Sequence, residues 1–124
     1  MSKTQTTPSA RKSGLTASHS QACQAVKEYL QLRGFYFHKH LGGIGQRKGL
    51  PDFDAVINGQ YIAIEVKTGQ GRLSAPQLDE RDAILRAGGH YIVGDVEDII
   101  EQLEAIRHEC ATVRAGAQNR FTCG

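Results

Sequence analysis

Hydrophobic and polar residues alternate along two neighbouring segments, 52–57 and 60–67, with the two-residue period of a half-buried β-strand. Asn58 and Gly59 lie between them and favour a type I′ turn, in which both central residues must accept a positive φ. One face of this predicted hairpin is wholly apolar: Phe53, Ala55, Ile57, Ile62, Ile64 and Val66. The other face is polar only at one end. We therefore expect both faces to be covered over much of their length, as in an α/β protein.

A helix and a strand are predicted before the hairpin. Apolar residues recur at helical spacing over 19–33, and Gly34 suits the position directly after a helix. Residues 35–38 include three aromatic side chains before a histidine and indicate a short strand. The Ser/Thr/Lys-rich segment 1–17 is predicted to be a flexible basic arm.

Two helices and one strand are predicted after the hairpin. Ser74 and Gln77 have the spacing of a capping box, which predicts a helix over 74–87. Residues 91–93 indicate a strand, and Asp95 suits the N-cap of a third helix. The residues expected to face inward are Leu78, Ile84 and Leu85 in one helix, and Ile99, Leu103 and Ile106 in the other. Residues 109–124 show no clear period and are expected to form a loose tail. The predicted order is α-β-β-β-α-β-α in a single domain.

The polar end of the hairpin carries the candidate chemistry. Counting outward from the turn places Asp52 opposite Glu65, with Cβ atoms about 4.5–5.5 Å apart, and Lys67 on the same face. Opposed like charges destabilise a sheet, and a divalent cation between them removes that cost. Mg²⁺ binds through one or two carboxylates together with waters and phosphate oxygens. The pattern therefore indicates metal-assisted phosphodiester hydrolysis, with a solvent-exposed Glu65–Lys67 ion pair as the alternative.

Further candidate ligands flank this pair. Asp54 lies on the same face but further from the strand end, where it either touches the metal or forms a salt bridge. His38 and His40 would share one face of the preceding strand, so they form either a ligand pair or surface histidines.

The charge distribution points to a polyanion. Net charge is +2, but residues 1–50 hold eight Lys/Arg and one acid, whereas residues 51–124 hold seven Lys/Arg and twelve acids. Basic residues that neutralise phosphates supply affinity that does not depend on sequence. Arg47 and Lys48 precede the candidate site, and Lys39 is expected to contact a DNA backbone. A chain of 124 residues offers little surface for reading bases, which favours recognition of DNA structure.

The motif residues match a family. Pro51 and Asp52, followed by Glu65-Val66-Lys67, resemble the PD-(D/E)XK signature of restriction-endonuclease-like nucleases. The fuller pattern at 48–52, 64–67 and 71–77 resembles the VRR-NUC branch, and the resemblance covers about residues 20–107. It implies a restriction-endonuclease-like core, with a central mixed sheet flanked by helices, in a nuclease domain over 18–108. It also implies a DNase that depends on Mg²⁺ or Mn²⁺. Stand-alone members are similar to dimeric enzymes that act on branched DNA, including four-way (Holliday) junctions.

The resemblance also assigns roles to residues. It implies Asp52, Glu65 and the backbone carbonyl of Val66 as metal ligands, and Lys67 as the catalytic lysine. It brings Gln77 toward the active site, whereas the local pattern makes Gln77 a cap. We expect one role or the other, since one rotamer should not serve both. Arg72 follows the site and either grips a phosphate or is a rim charge.

The first helix departs from the family pattern. Related nucleases place a glutamate near its start, whereas this chain has His19, Ser20 and Gln21 there. Either fewer carboxylates hold the metal, or His19 or Gln21 substitutes. A histidine ligand would favour Mn²⁺, because imidazole suits transition metals.

Several classes of protein are disfavoured. Three cysteines without a C-x-x-C pair argue against a disulfide framework and a zinc knuckle. No apolar run reaches the roughly 18 residues of a membrane span, and no secretory signal is evident, so we expect a cytoplasmic protein. The glycine-rich stretch 41–49 fits no phosphate-loop pattern, so no nucleotide cofactor is expected.

Three functions remain in competition. The first is a structure-selective endonuclease, for which a homodimer would place two sites for paired nicks. The second is a DNA-binding module without catalysis, which the missing helix acid supports. The third is an assembly protein that reuses the fold and binds no DNA.

Overall fold

The chain forms one mixed sheet with helices on its faces. The computed structural model describes residues 18–43 and 45–117, so the predicted arm at 1–17 lies outside the described residues. The elements are α1 (His19–Arg33), β1 (Tyr36–Lys39), β2 (Phe53–Ile57), β3 (Gln60–Val66), α2 (Ala75–Arg86), β4 (His90–Gly94) and α3 (Val96–Ala117). Strand order is β1-β2-β3-β4, with β4 parallel to β3 and the other pairs antiparallel. The predicted element order and the α/β restriction-endonuclease-like fold class are confirmed.

The turn at Asn58 and Gly59 fixes the register of the hairpin. Their φ angles are 52° and 85°, the positive values that a type I′ turn requires. Ile57 pairs with Gln60, and the ladder continues outward to Phe53 opposite Ile64. The next step along this register is Asp52 and Glu65, as the sequence predicted.

The apolar face of the hairpin forms the core together with α1 and α3. All six of its predicted apolar residues are at most 2% exposed. They pack with Ala22, Cys23, Val26, Leu30, Ile92, Ile99 and Leu103. Tyr29 and Arg33 on α1 bind Glu104 on α3, which joins the two helices at their polar edge. The core therefore lies on one side of the sheet, against α1 and α3.

The second helix is less buried than the sequence predicted. No residue of α2 is buried, and Leu78 and Leu85 are 37% and 50% exposed. The expectation that these leucines face inward is wrong for the described structure. Helical spacing identifies an apolar side but does not show whether another element covers it.

The open face of the sheet is also only partly covered. Ala63 and Glu65 are buried, whereas Val56 and Tyr61 near the hairpin tip are 42% and 39% exposed. We expected both faces of the hairpin to be covered over much of their length, and this expectation overestimates the burial of the open face near the hairpin tip.

The last helix extends further than expected. Asp95 caps α3 by accepting a hydrogen bond from the Asp98 N–H at 2.9 Å, and the helix runs to Ala117. Residues 109–117, which were predicted to begin a loose tail, are therefore helical. Residues 118–124 of that predicted tail lie outside the described residues. Across the described part of the chain, no helix has the combined length and apolarity needed to cross a membrane.

Candidate active site

Asp52 lies at the start of the hairpin, where β3 and the start of α1 both contact its side chain. Its Oδ2 accepts a hydrogen bond from the Val66 N–H at 2.8 Å and lies 3.2 Å from His19 Nε2. The side chain is 17% exposed, so it remains accessible. Because Val66 directly follows Glu65, this hydrogen bond fixes Asp52 beside the second predicted carboxylate.

The carboxyl group of Glu65 is buried, and its two oxygens differ in their hydrogen bonding. The residue is 3% exposed. Its Oε2 accepts from Gln77 Nε2 at 2.9 Å and lies 3.7 Å from Lys67 Nζ. Its Oε1 is buried and has no hydrogen-bond partner among the described residues. Leaving a buried acceptor unpaired costs about 1–3 kcal/mol, and more for a charged group.

Burial is also the main reason that the Glu65 carboxyl is costly to ionise. It raises the pKa of this carboxyl to about 7, and the nearby charge of Asp52 raises it further while Lys67 opposes the shift. A carboxyl that is costly to ionise, beside a second acid, is the electrostatic signature of a site that gains from a bound cation.

The donors at this end fit a hard divalent ion. The unpaired Glu65 Oε1 lies in a buried position beside the Asp52 charge. Mg²⁺ and Mn²⁺ are bound by carboxylate and carbonyl oxygens. Val66 donates its N–H to Asp52, and its carbonyl as a third ligand stays a prediction.

Gln77 performs both of the roles that were thought to exclude each other. Its Oε1 accepts from the Ser74 N–H at 2.8 Å, which closes the capping box of α2. Its Nε2 donates to Glu65 Oε2 at 2.9 Å. The expectation of one role only was wrong, because the two ends of a single amide point in different directions.

The start of α1 brings one of the two proposed substitutes to the site. His19 contacts Asp52, whereas the Gln21 side chain accepts from the Ser18 N–H at 3.0 Å in the cap of α1. Cys23, one turn after His19, places its Sγ 3.7 Å from His19 Nε2. Sequence reasoning did not single out Cys23; the spacing of four residues between His19 and Cys23 was the available signal.

Tyr91 is a second residue that the sequence analysis missed. It pairs with Ala63, so it shares the face of Glu65 on the neighbouring strand. Its hydroxyl is buried, and no residue in the described ranges forms a hydrogen bond with it. Burial raises the pKa of Tyr91, and the charges of Glu65 and Asp52 raise it further. A tyrosine within an apolar strand was the only signal in the sequence.

The flanking candidate ligands have other partners. Asp54 Oδ2 lies 3.1 Å from His40 Nε2, and Asp54 Oδ1 lies 3.8 Å from His38 Nδ1. This arrangement corresponds to the salt-bridge alternative for Asp54. It also shows that His38 and His40 meet on one face, as their spacing predicted.

The four predicted DNA contacts have different surroundings. Arg47 binds both carboxylate oxygens of Glu80 on α2, so its charge is locally neutralised. Lys39 Nζ lies 5.1 Å from the centre of the Phe53 ring. Lys48 and Arg72 are exposed. Arg72 and Lys67 line a shared cleft of about 530 Å³ beside the candidate site.

Comparison with known proteins agrees with this architecture. The chain is similar to a solved structure described as a VRR_NUC domain, with 24% sequence identity and a TM-score of 0.59. The match covers 69% of this chain and 94% of the other. No protein-family model matches the chain, and no curated protein matches it. The chain therefore has the fold of a VRR_NUC domain, as the motif resemblance predicted.

Proposed function

We propose that the chain is a VRR-NUC family nuclease that cleaves DNA with the help of a divalent metal. The observation that carries this proposal is the buried Glu65, whose carboxyl lies beside Asp52 and Lys67. Its Oε1 has no hydrogen-bond partner in the part of the chain that the structure describes. The three residues belong to the PD-(D/E)XK pattern, and the fold is that of a VRR_NUC domain.

The residues of the site divide the work of hydrolysis. Asp52 and Glu65 would hold Mg²⁺ or Mn²⁺, with the Val66 carbonyl as the further ligand. When bound, such an ion lowers the pKa of a water and neutralises charge on the phosphate. Lys67 orients the attacking water or stabilises the negative charge that develops on the phosphate. Gln77 is a positioning residue, because it fixes Glu65 from the start of α2.

The proposed substrate is DNA recognised by its shape, probed best by a four-way junction. Support comes from the small size of the domain and from its exposed basic residues. Lys48 and Arg72 are the strongest candidates for phosphate contacts, and Arg72 shares a cleft with Lys67. Arg47 contributes less than the sequence suggested, because Glu80 already neutralises it. A homodimer, a cytoplasmic location and independence from nucleotide cofactors remain predictions.

Cleavage of labelled DNA tests the proposal. Wild-type protein is incubated with a four-way junction, a linear duplex and a single strand, each in Mg²⁺, Mn²⁺ or chelator. Lys67→Ala should reduce the cleavage rate by about 10²–10³-fold, the usual effect of removing one group that stabilises developing charge. Lys27→Ala removes a lysine of α1 that has no role in the site and should retain full activity. Equal cleavage by wild type and Lys67→Ala, or cleavage in chelator, contradicts the proposed mechanism.

A second candidate function is a DNA-binding domain without catalysis. The observation that favours it is the start of α1, which presents His19 and Cys23 to Asp52 where related nucleases carry a glutamate. This alternative predicts salt-dependent binding to DNA in gel-shift assays with no cleavage in any divalent metal. Metal-dependent cleavage that is lost in Lys67→Ala excludes it.

A further inference from the structure

We propose that His19, Cys23 and Asp52 form a site for a thiophilic divalent ion of the Zn²⁺ class at the start of α1. The triplet shares Asp52 with the proposed nuclease site but takes its other two donors from α1. Its donor atoms all lie within 4.8 Å of one another. The binding claim depends on this geometry and not on whether the chain cleaves DNA.

Local structure places the two α1 donors together. His19 and Cys23 are four residues apart, so their side chains lie on the same face of the helix. Ser18 and Gln21 close a capping box directly before this turn, which fixes the helix start. Asp52 reaches the same point from the hairpin, where the Val66 N–H holds its Oδ2.

Two of the three donor separations are close to those around a tetrahedral ion, and the third is at most 4.8 Å. Zn²⁺ binds imidazole nitrogen and carboxylate oxygen at about 2.0–2.2 Å and sulfur at about 2.3 Å, so tetrahedral geometry needs N···O and S···N separations of about 3.4 and 3.6 Å. The structure has 3.2 Å between His19 Nε2 and Asp52 Oδ2, and 3.7 Å between Cys23 Sγ and His19 Nε2. Small side-chain movements therefore suffice for coordination.

The donor set selects the class of ion. A thiolate, an imidazole and a carboxylate suit Zn²⁺ and Co²⁺, whereas Mg²⁺ takes oxygen donors. Cys23 is 3% exposed, but the His19 side chain is 53% exposed, so an ion approaches from the histidine side. Three protein donors leave a fourth position for water, and the thiol proton passes to solvent on binding.

Sharing of Asp52 gives this site a regulatory consequence that rests on the proposed nuclease function. An ion that holds Asp52 together with His19 and Cys23 withdraws a carboxylate from the Mg²⁺ site. Zn²⁺ should therefore inhibit Mg²⁺-dependent cleavage by wild-type protein, and Cys23→Ser should be less sensitive to this inhibition.

Cobalt spectroscopy tests the binding claim without any DNA. Zn²⁺ has a filled d shell and gives no spectrum, whereas Co²⁺ bound to a thiolate gives a charge-transfer band in the near ultraviolet. The experiment uses the full chain with Cys110→Ser and Cys123→Ser, so that Cys23 is the only thiol. We expect this band on titration with Co²⁺, and we expect Zn²⁺ to abolish it by displacement.

Two variants separate the site from adventitious binding. Adding Cys23→Ser should remove the band. His19→Ala changes an accessible residue and should weaken Co²⁺ binding at least about tenfold, since even residues that only support a ligand are worth roughly 10–100-fold in affinity. Circular dichroism establishes that each variant is folded. The proposal is overturned if the Cys23-only protein shows no charge-transfer band, or if His19→Ala binds Co²⁺ as tightly as its parent.

The result of the cobalt titration does not depend on the result of the nuclease assay. A chain that shows the cobalt band but cleaves no DNA keeps this site and loses the proposed function. A chain that cleaves DNA without the band keeps the function and loses this site.

Discussion

Gln77 shows how one side chain connects the folding of a helix to the geometry of the site. Its carbonyl oxygen completes the cap of α2, and its amide nitrogen holds the buried Glu65. The helix start and the carboxylate are therefore positioned by the same residue. A capping residue usually stabilises its helix by roughly 1 kcal/mol. In this chain, Gln77 also orients the buried Glu65 carboxyl.

Two substitutions at Gln77 distinguish its roles. Gln77→Ala should lower the free energy of unfolding by about 1–3 kcal/mol, since it removes a cap and a hydrogen bond to a buried group. Gln77→Glu retains a capping-box residue but faces Glu65 with a second acid. At pH 8 in chelator it should therefore be at least as unstable as Gln77→Ala in urea denaturation. If Gln77→Glu is as stable as wild type, the contact with Glu65 is not significant in solution.

The buried Glu65 makes a specific prediction for pH. Burial, then the charge of Asp52, raises its folded pKa to about 7 from its ordinary value of 4.5. The folded state therefore binds the proton more tightly than the unfolded state. This contribution to stability is fully present below pH 4.5 and is lost as the pH rises through about 7.

Glu65→Gln provides the measurement, because glutamine does not titrate. In chelator, wild type should lose on the order of 3 kcal/mol relative to this variant between pH 4.5 and pH 8. Urea denaturation at a series of pH values gives the difference directly. Parallel stability curves for the two proteins would show that Glu65 has an ordinary pKa.

The loop before β2 lies in close contact with the start of α2. A Cβ added at Gly49 would lie 2.5 Å from the Pro76 carbonyl oxygen, and Gly49 has a φ of +88°. Pro51, which follows in this loop, is fully buried. The contact therefore sets where Asp52 enters the site.

Gly49→Ala and Gly88→Ala form a matched pair that tests this contact. Both glycines have positive φ, and a Cβ at Gly88 meets no atom within 4 Å. Gly88→Ala should cost roughly 1–2 kcal/mol from the backbone alone. Gly49→Ala should cost about 1–3 kcal/mol more, because a backbone oxygen must move. Thermal unfolding of both variants measures the difference, and equal costs would mean that the loop is not held against α2.

The elements also show where sequence reasoning succeeds. The Asn58–Gly59 turn determined the pairing of β2 with β3, because its geometry admits one register. That register places Asp52, Glu65 and Lys67 at the same end of the hairpin. The fold class followed from the order of elements and from the motif resemblance.

Tertiary context explains what was missed. The burial of α2 depends on how far it lies from the sheet, which its own periodicity does not encode. Cys23 and Tyr91 became candidates only when the start of α1 and strand β4 were placed beside Asp52 and Glu65. The double role of Gln77 required the positions of both ends of its amide.

An exposed apolar stripe crosses the open face of the sheet. Tyr36 pairs with Val56, and Val56 pairs with Tyr61, so the three side chains are neighbours across three strands. They are 63%, 42% and 39% exposed. Adjoining exposed apolar side chains are typical of protein–protein contact surfaces. We expect a second copy of the chain to cover this stripe in the predicted homodimer.

Sedimentation equilibrium tests the dimer. Wild type should sediment as a dimer, and Val56→Glu should shift it to monomer, since each copy of a two-fold interface would gain a buried charge. Leu32→Glu is the control, because Leu32 is an 85% exposed apolar residue on α1, outside the stripe. A monomeric wild type, or the same effect from both variants, would exclude this surface as the interface.

We propose that the end of the hairpin binds one divalent cation between Asp52 and Glu65. A crystal soaked in Mn²⁺ and measured for anomalous scattering tests it most directly. We expect a peak about 2.0–2.3 Å from Glu65 Oε1 and from an Asp52 oxygen, as hard cations bind carboxylates. A manganese-loaded crystal with no metal at Glu65 Oε1 would contradict the proposed site between Asp52 and Glu65. Manganese bound elsewhere would not change that conclusion.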